Sequence, residues 1–175
     1  MQQKGHWRGL TQRLSFKKTI MKRTISIVSL FSIMLSGTGC IKDNSCQNKT
    51  VQSEQAAITT YASANGITGI AHSSGIYYQV TNPGSGPTPS VSSQVSVRYT
   101  GKLLNGNVFD SQTGTPVTFG LGGTIPGFQI GLQLIQKGGT IKMIIPSSLA
   151  YGCTGSGAIT GNSILFFEVQ LVDVL

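Results

Sequence analysis

Two side chains stand in settings that invite chemistry. Asp110 follows the apolar pair Val108-Phe109 and precedes Ser111, and Tyr151 lies in Ala150-Tyr-Gly152, where a glycine loop can present a phenol hydroxyl at the rim of a pocket. For Asp110 the plain alternative is the capping of a turn. The chemistry that is missing narrows the choice further. His72 is the sole histidine beyond the N-terminal segment, and neither a Ser/His/Asp set nor a metal-ligand cluster can be assembled around it. Nucleophilic hydrolysis and metal catalysis therefore lack parts, and neither a cofactor nor a metal is expected. Gly120-Leu-Gly-Gly-Thr124 is rich in glycine, but no Lys follows it and the strand-to-helix spacing of a phosphate loop is missing. It reads as a turn.

These residues need elements to position them. From Gln94 the chain alternates strictly, with Val95, Val97 and Tyr99 on one side and Ser96, Arg98 and Thr100 on the other, so a half-buried strand is predicted. Residues 74–81 predict an earlier strand, closed by Asn82-Pro-Gly-Ser-Gly-Pro87. Further strands are predicted at 107–111, 116–121, 140–145 and 164–174. Residues 125–135 begin with a Pro-Gly step and then place Phe128, Leu132 and Ile135 at helical spacing. One short helix among about five strands implies an α+β fold, an antiparallel sheet bent around that helix. Residues 51–64 place Val51, Ala57, Ile58 and Tyr61 at helix-like spacing ahead of Asn65-Gly66, and predict a short N-terminal helix that packs or spaces. A monomer is expected, with dimerisation through this helix as the alternative.

Taken in order, Val95-Ser-Val-Arg-Tyr-Thr-Gly101, Gly106-Asn-Val-Phe-Asp-Ser111, Pro116-Val-Thr-Phe-Gly-Leu121, Ile125-Pro-Gly-Phe-Gln-Ile-Gly-Leu132, Ile145-Pro-Ser-Ser-Leu-Ala-Tyr-Gly152 and Phe166-Phe-Glu-Val-Gln-Leu171 resemble the successive signature segments of the FKBP-type peptidyl-prolyl isomerases. The resemblance implies a bent five-stranded antiparallel sheet around one helix, and an activity that interconverts cis and trans X-Pro bonds. It also implies a site. The residues matching the family's catalytic pocket are Tyr99, Phe109, Asp110, Ile125, Phe128, Tyr151 and Phe167, with Val117, Phe119 and Ile159 as further substrate-binding wall. Phe128 would be the floor under the prolyl ring, where the family usually has Trp. The N–H of Ile125 and the hydroxyl of Tyr151 would bind peptide carbonyls, and Asp110 would bond Tyr99 inside the pocket. Taken singly, Tyr99, Phe119, Phe128 and Phe167 occupy periodic apolar positions that also suit a core. Departures at Phe128, Val117 and Thr160-Gly161 keep a second reading in view, a non-catalytic chaperone or binding module for proline-containing segments.

The charge of +8 is concentrated at one end. Seven of the 13 basic residues precede Thr24, whereas after Gly39 six cations face five anions, a balance of +1. Nucleic-acid binding loses its electrostatic basis. The basic stretch leads into an apolar run from Ile25 to Leu35 and small residues up to Cys40, too short for a membrane span and proportioned as a secretory signal, with Met21 a plausible true start. Gly39-Cys40 resembles the lipobox of bacterial lipoproteins, which implies acylation of Cys40. The organisation expected is a signal with upstream extension at 1–39, then the lipidated cysteine, a polar tether, the short helix and the first strand at 40–90, and the isomerase domain at 91–175. The protein would be held on a membrane in the bacterial cell envelope, facing the periplasm or exterior, and would act on proline-containing segments of exported proteins. Cys46 and Cys153 are not paired by spacing alone, and free thiols are expected.

Overall fold

The structure, a computed structural model, describes residues 45–175. The signal segment, Cys40 and the start of the tether lie outside the described residues.

Eight regular elements follow in chain order: α1 (Val51–Ala64), β1 (Ile70–Ala71), β2 (Tyr77–Asn82), β3 (Gln94–Leu103), β4 (Val108–Gly120), α2 (Pro126–Leu132), β5 (Thr140–Ile145) and β6 (Leu165–Val174). The strands form one sheet in the order β1-β2-β5-β6-β3-β4, with every pairing antiparallel. β1 has two residues, too few to leave a periodic signal. The strands expected at 107–111 and 116–121 are one strand, β4. Its pairing with β3 jumps from Val97↔Val117 to Tyr99↔Gln112, so the residues between bulge outward. Arg98 Nε donates to the Gly114 carbonyl at 2.7 Å and closes that bulge.

Alternation along β5 and β6 divides the sheet between two cores. Ile141, Met143, Ile145, Leu165, Phe167, Val169 and Leu171 point to the side of α2, while Ile144 and Phe166 point to the side of α1. On the first side α2 buries Phe128 and Leu132. Gly127 and Gly131 let it lie directly on β5, because a Cβ at either would collide with the side chains of Ile145 and Met143. On the second side α1 buries Ile58 and Ala62 against Ile144, Ile164 and Phe166. Full burial of a side chain as large as Ile58 or Leu132 is worth about 1.5–3 kcal/mol.

The N-terminal helix is thus a layer of the fold. The Thr50 hydroxyl caps it by accepting the Ser53 N–H, and Asn65 with Gly66 at φ 63° ends it. α1, β1 and β2 precede residue 91 yet belong to the same compact unit as the strands that follow. Two expectations are corrected here. Residues 46–50 are fastened to the domain rather than forming a tether: Asn162 accepts the Lys49 N–H through Oδ1 and donates through Nδ2 to the Gln47 carbonyl, both at 3.1 Å. Cys46 and Cys153 are not free thiols but a disulfide across a separation of 107 residues, with Cα atoms 5.5 Å apart. Spacing could not reveal the pair, because fixation of the N-terminal segment on the β5–β6 connection is what brings it together.

Candidate active site

A cavity of about 510 Å³ opens between α2 and the inner face of the sheet. Tyr99 of β3, Phe109, Asp110 and Phe119 of β4, and Phe167 of β6 line it, the neighbours Phe109 and Asp110 both reaching it where the β3–β4 register shifts between Gly101 and Lys102. The turn into α2 contributes Thr124, Ile125 and Pro126, α2 contributes Phe128, and the β5–β6 connection contributes Tyr151.

Phe128 is 4 % exposed and is the hub of the aromatic wall. Its ring lies 5.4 Å from Phe167, 6.2 Å from Phe119 and 6.3 Å from Tyr99, centroid to centroid. Phe109 meets Phe167 edge to face at 5.5 Å. Tilted and edge-on contacts at these separations are the favoured aromatic geometries, and they leave the floor rigid. Gly101 makes the packing possible. It stands opposite both Asp110 and Phe167 in register, and a Cβ there would lie 2.6 Å from Phe109 Cζ and 2.8 Å from Phe167 Cε1.

Polar groups sit at the margin. Tyr99 donates its hydroxyl to Asp110 Oδ2 at 2.5 Å. Burial, then that hydrogen bond and the carboxylate's charge, push the Tyr99 phenol up to about 12, so it stays protonated and keeps donating. Ile125 is the N-cap of α2 in an extended conformation, and its carbonyl accepts the N–H groups of Phe128 and Gln129 at 3.0 and 3.2 Å. No described residue accepts the Ile125 N–H, which is left available beside the cavity. Gln129 fixes this turn by donating to the Thr124 carbonyl at 2.7 Å and the Gly122 carbonyl at 3.2 Å. Tyr151 is 36 % exposed at the rim, and its hydroxyl bonds no described residue.

Among the residues expected from sequence, Tyr99, Phe109, Asp110, Phe119, Ile125, Phe128, Tyr151 and Phe167 meet at this one cavity. Val117 and Ile159 do not line it. Val117 stands 36 % exposed on the outer strand of the sheet, paired with Val97 at the edge of the β4 bulge. Ile159 is 7 % exposed and turned into the core, held by reciprocal backbone bonds with Ser156 at 2.8 Å. Thr124 and Pro126, which flank Ile125, were not singled out from sequence, and neither was the part played by Gly101. Gly120–Thr124 carries a 3-10 turn at Leu121–Gly123, as the reading of that stretch as a turn requires. Among the described residues no group of acidic, His or Cys side chains could hold a metal ion.

Comparison with known proteins places this cavity in context. Residues 86–172 match the family described as FKBP-type peptidyl-prolyl cis-trans isomerase. Over 104 residues the chain is 47 % identical to the FKBP-type peptidyl-prolyl cis-trans isomerase FkpA of Escherichia coli strain K12, covering 58 % of this chain and 38 % of that one. It is 46 % identical over 104 residues to the FkpA of Buchnera aphidicola, covering 58 % of this chain and 41 % of the relative. The chain therefore spans less than half the length of these curated relatives. In structure it resembles the crystal structure of E. coli FkpA with a TM-score of 0.62 at 39 % identity, over 71 % of this chain and 62 % of that chain. It also resembles a peptidyl-prolyl cis-trans isomerase from Pseudomonas syringae pv. tomato, with a TM-score of 0.60 at 31 % identity, over 73 % of this chain and 98 % of the other.

Proposed function

Since the chain belongs to the FKBP-type peptidyl-prolyl cis-trans isomerase family, we propose that it isomerises X-Pro bonds in the cavity floored by Phe128 and thereby assists the folding of exported proteins. The observation that carries this is an aromatic cavity with two uncommitted hydrogen-bond donors on its margin, the Ile125 N–H and the Tyr151 hydroxyl.

Rotation about an X-Pro bond makes and breaks no covalent bond. It requires loss of amide resonance, at a barrier of about 18–20 kcal/mol, and takes tens to hundreds of seconds unaided. The planar amide is charge-separated and better solvated than the twisted one, so removal of water favours rotation, and contacts that fit the twisted form add to it. An acceleration of about four decades needs roughly 5.4 kcal/mol. The prolyl ring would rest on Phe128 between Tyr99, Phe119 and Phe167, while the Ile125 N–H and Tyr151 hydroxyl bind flanking carbonyls. The Tyr99–Asp110 bond would hold the wall in place. Substitution of Trp by Phe makes the floor smaller and keeps it aromatic.

Export and anchoring are part of the reading. A signal over 1–39 and acylation of Cys40 would hold the domain on a membrane of the cell envelope. The Cys46–Cys153 disulfide supports an oxidising compartment. Among the described residues no helix is long and apolar enough to cross a membrane.

The test is a prolyl isomerisation assay on the purified protein with an apolar residue before proline, beside Phe128→Ala. Acceleration that Phe128→Ala abolishes is expected. Unaccelerated isomerisation by a folded chain that still binds proline-containing peptides would replace the enzyme with a binding module.

A further inference from the structure

Tyr151 reaches the cavity from the connection between β5 and β6, a long stretch whose regular structure is limited to a 3-10 turn at Ser147–Leu149 and a small bridge between Ser156 and Ile159. What it is bonded to is the N-terminal segment. Glu54, 2 % exposed on α1, accepts the Ser147 N–H through Oε2 and the Ser147 hydroxyl through Oε1, both at 2.8 Å. Asn48 Oδ1 accepts the Cys153 N–H at 2.8 Å, and Cys153 is disulfide-bonded to Cys46. These attachments fall on either side of Tyr151.

We propose that the segment from Cys46 to Glu54 is a strap that positions Tyr151, with Glu54 and the Cys46–Cys153 disulfide as positioning residues for the rim hydroxyl. The inference rests on the isomerase reading of the cavity. Neither latch lines the cavity, so each acts through the loop.

Helix packing alone does not account for Glu54. It shares a stripe with Ile58 and Ala62, where an apolar side chain would pack without the cost of desolvating a carboxylate. The carboxylate is explained by Ser147, whose backbone and side-chain donors it satisfies together. Ser147 in turn accepts the Gly152 N–H at 2.9 Å, which folds the residues around Tyr151 into one turn. The strap lies close over that turn. Gly152 has φ 57°, and a Cβ there would stand 2.6 Å from Asn48 Oδ1.

The experiment compares the full chain with Cys46→Ser/Cys153→Ser and, separately, Glu54→Gln, each also combined with Tyr151→Phe. Amide hydrogen exchange across residues 147–163 is read against β3, β5 and β6, and kcat and KM of isomerisation are measured below the melting range. Each strap variant is expected to lose about tenfold in protection, confined to the loop. Each is expected to lose about tenfold in kcat/KM, mainly through KM. In the Tyr151→Phe background the same changes should remove no more than about twofold further, because the partner they position is already gone. Protection lost evenly over loop and sheet, or kinetic losses that simply add to that of Tyr151→Phe, overturns the strap and leaves a structural role. A wild-type chain that does not isomerise sinks the catalytic reading, and the strap then stands or falls on the exchange pattern.

Discussion

At the scale of single residues, the site depends on groups kept in one protonation state and one rotamer. Tyr99 donates to Asp110 from a setting where its phenol is pushed up to about 12, burial being the larger cause. That lies above the unfolded value of about 10, so the stability linked to keeping this phenol protonated, from burial first and the Asp110 bond second, is present below pH 10 and is lost as the pH rises through about 12. An ultraviolet titration should show Tyr99 ionising in that upper window, with Tyr61 also raised by burial, and Asp110→Val should move the Tyr99 step downward without restoring the ordinary value, since burial remains. Tyr151 is held differently. Its hydroxyl bonds no described residue, so Tyr151→Phe should leave the melting temperature within about 1–2 °C, equivalent to less than 0.5 kcal/mol. The same change should lower kcat/KM by about tenfold, the worth of one hydrogen bond of roughly 1.4 kcal/mol made to the substrate. A large fall in stability with unchanged kinetics would make Tyr151 a packing residue. Tyr151 was legible at the cavity from its glycine-rich setting, whereas the setting of Asp110 suggested only a turn cap and its place beside Tyr99 came from the family resemblance.

Among elements, close approach decides more than hydrogen bonding does. Gly101 sits inside β3, third from its end, where a glycine weakens a strand, and it is tolerated because Phe109 and Phe167 occupy the volume a Cβ would need. Gly101→Ala is therefore expected to cost about 1–3 kcal/mol in urea unfolding and to reduce isomerisation by tilting Phe109 and, with it, Phe167, which touches Phe128. Destabilisation with undiminished activity would show that the floor adapts. Strict alternation in β3 and the Pro-Gly entry to α2 were legible, because period two and a proline at a helix start are local signals. The continuity of β4 was not, since residues 112–115 are polar and bulged, and what keeps them extended is Arg98 from the neighbouring strand. The buried stripe of α1 was only half visible for a related reason. Of the residues read at helical spacing only Ile58 is in it; the others are Ala62, small enough to give little signal, and Glu54, a charge whose burial is licensed by Ser147, far away in the chain. Val117, paired with Val97 at an exposed strand edge, and Ile159, packed in the core cluster, lie away from the cavity lining, and neither placement leaves a local signal in the sequence.

At the scale of the whole molecule, the disulfide would tie stability to an oxidising compartment. The Cys46–Cys153 bond joins the start of the described chain to the loop that carries Tyr151, across 107 residues. A cross-link of this span restricts the unfolded chain and contributes typically about 2–4 kcal/mol. Such bonds persist only where the surroundings are oxidising, which is where an N-terminal signal and an acylated Cys40 would deliver the domain. Exported protein and protein produced without residues 1–39 in a reducing cytosol should then differ in a defined way. The exported form should resist alkylation at Cys46 and Cys153. The cytosolic form should label at both and unfold at lower urea, by an amount equivalent to about 2–4 kcal/mol, until it is oxidised in vitro. If Cys40 is acylated as proposed, Cys40→Ala should move the protein from the membrane fraction to the soluble one in cell fractionation while leaving the Cys46–Cys153 disulfide intact. If the cytosolic form were equally stable with both thiols free, the cross-link would add nothing to folding, and its remaining role would be to hold the loop at the cavity rim.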